Sequence, residues 1–190
     1  FELGYSGISP AAVEFVQDLR VDNNPRGTAV TTMDPKLGPF TTIEQEGLLG
    51  TLHDSYADQT ITPLAYHLCL LFTYFGARPA QYAAMKTKDL VRHETIEGSV
   101  KFKLLIPRAK QGHKTPRSEF TERKLTRVAG DPLWDYGVRV DADAKDHGIE
   151  TGEAPLFPNW SSTDQLDSDY LFHHSASELA NLLERSLRSI

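Results

Sequence analysis

Apolar positions recur at helical spacing through most of the chain and alternate at strand spacing in one short stretch. Ser9-Pro10 opens a first helix: the serine suits the cap, and proline lacks only an N–H that would be unpaired there anyway. Val13, Phe15, Val16 and Leu19 form its apolar face, and it is expected to end near Arg20. Val21 to Pro39 carries Asn23-Asn24-Pro25, Gly27, Asp34-Pro35 and Gly38-Pro39, the residues of turns and linkers. Thr41-Thr42-Ile43-Glu44 reads as a capping box, followed by a helix over about 42–56. Thr62-Pro63 caps the next helix, which is apolar nearly all round and so predicts a buried central element ending at Gly76. Pro79 opens a short helix with Tyr82, Ala83 and Met85.

From Ser99 to Ile106, Val100, Phe102, Leu104 and Ile106 alternate with Lys101 and Lys103, which predicts a half-buried strand. Pro107 to Thr115 is a basic turn, and Arg117 to Glu122 is the returning strand. Asp131 to Asp146 predicts a helix, and 148–168 reads as loop. Ser175-Ala176-Ser177-Glu178 is a second capping box before an amphipathic helix that runs to Ile190. The expected fold class is α+β, mainly helical with one small antiparallel sheet.

Composition narrows the classes. With 190 residues, 39% hydrophobic and 24% charged, the chain is ordinary for a folded protein. The single Cys69 excludes an internal disulfide framework and points to a reducing, cytoplasmic setting. The longest apolar run, about Leu64 to Phe75, is too short to span a bilayer, so no membrane partner is expected. No signal peptide is visible, and the chain begins at Phe1, which suggests an excised or processed piece. A net charge of −6 argues against a polyanionic partner until its distribution is seen. Lys86 to Arg127 holds 12 Lys/Arg against 5 Asp/Glu, so a local basic segment sits on an acidic body.

Two places suit phosphate chemistry. In Gly76-Ala77-Arg78-Pro79 an arginine occupies the tight break between two helices, where apolar packing on both sides holds it stiffly. The same residue also suits an ion pair with a carboxylate or the capping of helix carbonyls, and sequence alone leaves both open. The loop 107–117 carries four basic residues and a histidine, so a lysine there could reach a scissile phosphate while its neighbours bind the backbone. A solvated basic turn is the other reading of that loop. His67 reads as a core histidine, Trp134 and Tyr136 as packing residues, and His173-His174 as no ligand pair. No Cys/His cluster or Asp-rich pair suggests a metal, and no cofactor is expected.

The order of these features resembles the opening of the tyrosine recombinase, or phage integrase, catalytic domain: buried helix, Gly-x-Arg, short helix, Lys88-x-Asp89-Leu90, strand, then a basic hairpin with Lys110-x-Gly112. The resemblance covers about residues 41–190, with 1–40 as the end of a preceding region and an interdomain linker. It implies that Arg78 contacts the scissile phosphate and that Lys110 is the general acid toward the leaving 5′-hydroxyl, with Lys114 as second choice. Lys88, Arg108, Lys114 and Arg117 are then candidate DNA contacts, and duplex DNA is the partner of the intact parent, which assembles as an oligomer on DNA. The parent would belong to a mobile genetic element and rejoin DNA through a 3′-phosphotyrosyl link.

The chain departs from the pattern in two ways. Gln81 stands where many members carry a carboxylate, and no His-x-x-Arg pair occurs. Tyr170 is not in the setting of a nucleophile. The expectation is a fragment that holds the first part of the catalytic domain and is inactive alone. The alternative is a non-catalytic helical module that binds DNA or protein through hairpin 107–117.

Overall fold

A computed structural model describes residues 28–32, 34, 38–108, 117–162 and 170–190. The helix expected over 9–20 and the loop lysines Lys110 and Lys114 lie outside the described residues. The chain divides into two compact units, Phe1–Ile43 and Glu44–Ile190. Within the first, one helical turn is described, α1 (Thr28–Thr31).

Side-chain caps at Thr62 and Ser175 set the starts of two helices in the second unit. After α2 (Thr42–Ala57), α3 (Pro63–Phe75) starts where Thr62 Oγ1 accepts from the Ala65 amide at 3.2 Å. It stops at Gly76, whose φ of 55° is left-handed and costs a glycine little, with the Gly76 amide donating to the Phe72 carbonyl. Leu68, Cys69, Leu70 and Leu71 are buried, so α3 is the central helix that its all-round apolar pattern predicts. Burial pushes the Cys69 thiol up to about 11 and the His67 imidazole down to about 3, so both stay neutral in the core. Tyr56 of α2 stacks on Tyr66 of α3 with ring centroids 4.1 Å apart.

Beyond the short helix α4 (Pro79–Ala83) and a 3-10 turn over Thr87–Asp89, three antiparallel strands pair in the order β1 (Leu90–Glu94), β2 (Val100–Pro107), β3 (Phe120–Leu125). The coarse expectation of a mainly helical chain with one small antiparallel sheet describes this architecture. Phe102, Leu104 and Ile106 on β2 are buried while Lys101 is exposed, as the alternation requires. β1 was not foreseen: only Leu90 of its residues is buried, so pairing with β2 makes it a strand and its own pattern does not. The return strand begins at Phe120 instead of Arg117, because Arg117 is drawn inward to a carboxylate before the ladder starts.

Helix α5 (Arg127–Asp146) packs on β2, β1 and the 3-10 turn, and starts one turn earlier than Pro132 suggests. The extra turn is carried by tertiary packing, since Ala129 and Gly130 are buried on the sheet. Residues 154–158 form no regular element, yet Leu156 and Phe157 are core. Their backbone is satisfied by the 85–88 segment: the Thr87 amide donates to the Ala154 carbonyl and the Leu156 amide to Met85. Helix α6 (Ala176–Ser189) is capped reciprocally by Ser175 and Glu178 and lays its apolar stripe on α3 and α4.

A Cβ at Gly130 would sit 2.3 Å from Phe102 Cδ2 and 2.8 Å from its Cβ, so the α5–β2 approach depends on glycine. Gly130→Ala is expected to lower stability by about 1–2 kcal/mol, overpacking outweighing the gain in helix propensity. Urea denaturation measures it, and an unchanged or raised midpoint would contradict the close approach.

Candidate functional site

The break between α3 and α4 places Arg78 in extended backbone, φ −70° and ψ 148°, as the residue capping α4. Its guanidinium side is exposed, and its backbone is held by Gln81. The Arg78 amide donates to Gln81 Oε1 at 3.1 Å, and Gln81 Nε2 donates to the Pro107 carbonyl at 2.8 Å. One amide side chain therefore joins the arginine break to the end of β2, from which the basic loop leaves.

The other end of that loop is fixed by charge. Arg117 forms a two-pronged pair with Asp89, Nη1 to Oδ2 at 2.6 Å and Nη2 to Oδ1 at 2.7 Å. Asp89 Oδ2 also accepts the Lys86 amide at 2.8 Å, and Arg117 Nη1 donates to the Ala84 carbonyl at 2.8 Å. The Asp89 side chain is 3% exposed and that of Arg117 16%, so the pair is largely out of water. Burial works against the Arg117 charge, but its hydrogen bonds to Asp89 outweigh it and hold the guanidinium above its ordinary value. Arg117 keeps a φ of 110°, a conformation unfavourable for a side-chain-bearing residue and retained here because these bonds over-determine it. Its guanidinium carbon also lies 5.2 Å from the centre of the Phe120 ring.

A second carboxylate gathers two lysines. Glu153 accepts Lys86 Nζ at 2.9 Å on one oxygen and Lys88 Nζ on the other. Hydrogen bonds from Lys88 and Lys86 hold Glu153 down to about 2. His173 closes the inner side, its Nδ1 2.5 Å from the Ala83 carbonyl at the end of α4. Burial pushes His173 down to about 4, and Lys86 and Arg117 add to that. It is therefore a neutral imidazole with Nδ1–H donating, and its buried Nε2 has no hydrogen-bond partner among the described residues.

The predicted site residues are thus unequally placed. Arg78 and the base of the loop are brought together through Gln81. Arg108, half-exposed, donates its amide to the Glu119 carbonyl at 2.9 Å and its Nε to Thr121 Oγ1 at 3.2 Å, squaring the hairpin base. Arg117 faces Asp89 and Lys88 faces Glu153, so neither presents an unpaired cation. Lys110 and Lys114 lie outside the described residues. Sequence reasoning missed Gln81, Asp89 and Glu153 as organisers. Asp89 sat inside the quoted Lys-x-Asp-Leu motif and Gln81 three residues past the arginine. Glu153 carried no local signal, being 65 residues from Lys88 in the chain. Among the described residues no group of three His, Cys, Asp or Glu could hold a metal ion, and no helix is long and apolar enough to cross a membrane.

No protein family, curated protein or solved structure matches the chain in sequence or fold comparison.

Removing one charge of the Asp89–Arg117 pair strands the other in the interior. Asp89→Asn is expected to cost about 3–5 kcal/mol, far more than Lys88→Ala at the exposed pair, in chemical denaturation at neutral pH. Glu153 titrates lower in the folded chain than its ordinary 4.5. Its stabilisation is therefore complete above about 4.5 and is lost as pH falls toward 2. Glu153→Gln should flatten that part of the melting temperature against pH curve; an unaltered acid limb would exclude the lysine contacts.

Proposed function

We propose that the chain is the opening part of the catalytic domain of a DNA strand-exchange enzyme of the tyrosine recombinase class. The observation that carries this reading is the tie through Gln81 between Arg78 and the base of the 107–117 hairpin, which sets an arginine and a lysine-bearing loop on neighbouring supports. Attack on a phosphodiester gathers negative charge on the non-bridging oxygens, and cations fixed around them stabilise the transition state more than the ground state. In this reading Arg78 is the phosphate-binding guanidinium, and Lys110, or Lys114, donates a proton to the leaving 5′-hydroxyl. Arg108 contacts the DNA backbone beside them. A covalent 3′-phosphotyrosyl bond conserves the phosphodiester energy, so neither a nucleotide cofactor nor a metal is required by the reaction.

The 190 residues include no His-x-x-Arg pair, so the chain by itself is expected to bind duplex DNA weakly and to leave it uncut. Its local basic segment supplies the attraction, and the acidic remainder limits it.

The experiment is a salt titration of duplex binding. Arg78→Ala and the charge reversals Lys110→Glu and Lys114→Glu should each weaken binding, and each lost phosphate contact should lower the slope of log affinity against log salt by about one. No covalent adduct should form on a nicked suicide duplex. If the reversals act while Arg78→Ala is neutral, the chain is a non-catalytic binding module. An adduct formed by this chain alone would overturn the assignment of its missing nucleophile.

A further inference from the structure

We infer that Gln81 is a positioning residue whose uncharged amide couples Arg78 to the base of the basic hairpin, and that a carboxylate cannot replace it. The consequence for phosphate binding rests on the reading above; the coupling itself does not. Gln81 does two opposite things at once, accepting from the Arg78 amide at 3.1 Å and donating to the Pro107 carbonyl at 2.8 Å, across 26 residues of chain. An amide offers both an acceptor oxygen and donor hydrogens; an ionised carboxylate offers acceptors alone. Glutamate here would keep the bond to the Arg78 N–H but would set a charged oxygen against the carbonyl of Pro107. Pro107 is buried at the end of β2, so its carbonyl has no easy retreat. The next residue, Arg108, gives its amide to the Glu119 carbonyl at the hairpin base, so a disturbance at Pro107 reaches that base directly. A protonated carboxyl group regains both roles, its O–H toward Pro107 and its C=O toward Arg78.

That chemistry makes the substitution reversible with pH. Amide hydrogen exchange by NMR on the 190-residue chain, expressed as protection relative to an unstructured peptide, reads each arm separately: the Arg78 amide for the acceptor half, the Arg108 amide for the hairpin base, and the Leu104 amide as a core reference. In Gln81→Ala the Arg78 and Arg108 amides should lose about five- to tenfold of their protection at every pH while Leu104 holds. In Gln81→Glu at about pH 8 Arg78 should stay protected and Arg108 should fall by a similar factor. At about pH 4.5 Arg108 should recover as the introduced carboxyl takes up its proton. Because that variant carries its own reversal, a folding defect is distinguishable from lost coupling. Full Arg108 protection in Gln81→Glu at about pH 8, or in Gln81→Ala, would overturn the inference.

Duplex affinity at about pH 8 then separates the two proposals. Weaker binding by Gln81→Glu, in step with Arg108 protection, supports both. Affinity that responds to Arg78→Ala and the hairpin reversals but not to Gln81→Glu overturns the positioning role alone. Protection changes as expected, with affinity indifferent to all of these variants, leave the coupling standing and overturn the recombinase reading.

Discussion

A buried carboxylate and a partly buried guanidinium, Asp89 and Arg117, hold the base of the basic hairpin against the body of the domain. Two charges removed from water are costly unless their remaining hydrogen-bond capacity is met, and here it is: Asp89 also takes the Lys86 amide, and Arg117 also bonds the Ala84 carbonyl. The pair thus fixes the 3-10 turn, the end of α4 and the start of the return strand in one arrangement. With Gln81 anchoring the opposite end at Pro107, both roots of the loop are set by groups outside the loop. The arrangement determines where the hairpin leaves the body of the domain.

Around that root most of the described cations have carboxylate partners. Glu153 is shared between Lys86 and Lys88, and Asp89 is paired with Arg117, so these three cations are engaged in holding the structure together. The exposed Arg78 and the half-exposed Arg108 stand at the outer edge. Arg108 is itself engaged, with Nη1 3.6 Å from Glu119 Oε2 and Nε donating to Thr121 Oγ1. His173, partly buried and neutral beside these groups, adds no charge to them.

Local signals in the sequence were read well wherever one residue decides one bond. Thr62 and Ser175 cap their helices, Gly76 ends α3, and Phe102, Leu104 and Ile106 face inward on β2. Those features depend on neighbours within four residues or on a period of two, and both are written in the chain order. Of the site, the break between α3 and α4 that holds Arg78 was legible for the same reason. The early start of α5, the edge strand β1 and the buried irregular stretch 154–158 were not, because each is stabilised by partners far along the chain. Pro132 locally favours a helix start, but burial of Ala129 and Gly130 against β2 overrides it.

By itself the sequence determined the central apolar helix, the alternating strand and the concentration of basic residues between 86 and 127. Only the tertiary structure decided which cations are consumed and which remain outward. Arg117 and Arg108 carry the same charge and read alike in a basic loop, yet one is paired with the buried Asp89 and the other with Glu119 at the exposed hairpin edge. The physical reason is that charge is a property of the residue, whereas pairing is a property of distance in space. Glu153 and Asp89 reach their cations across 65 and 28 residues of chain, separations at which no spacing rule in the sequence applies.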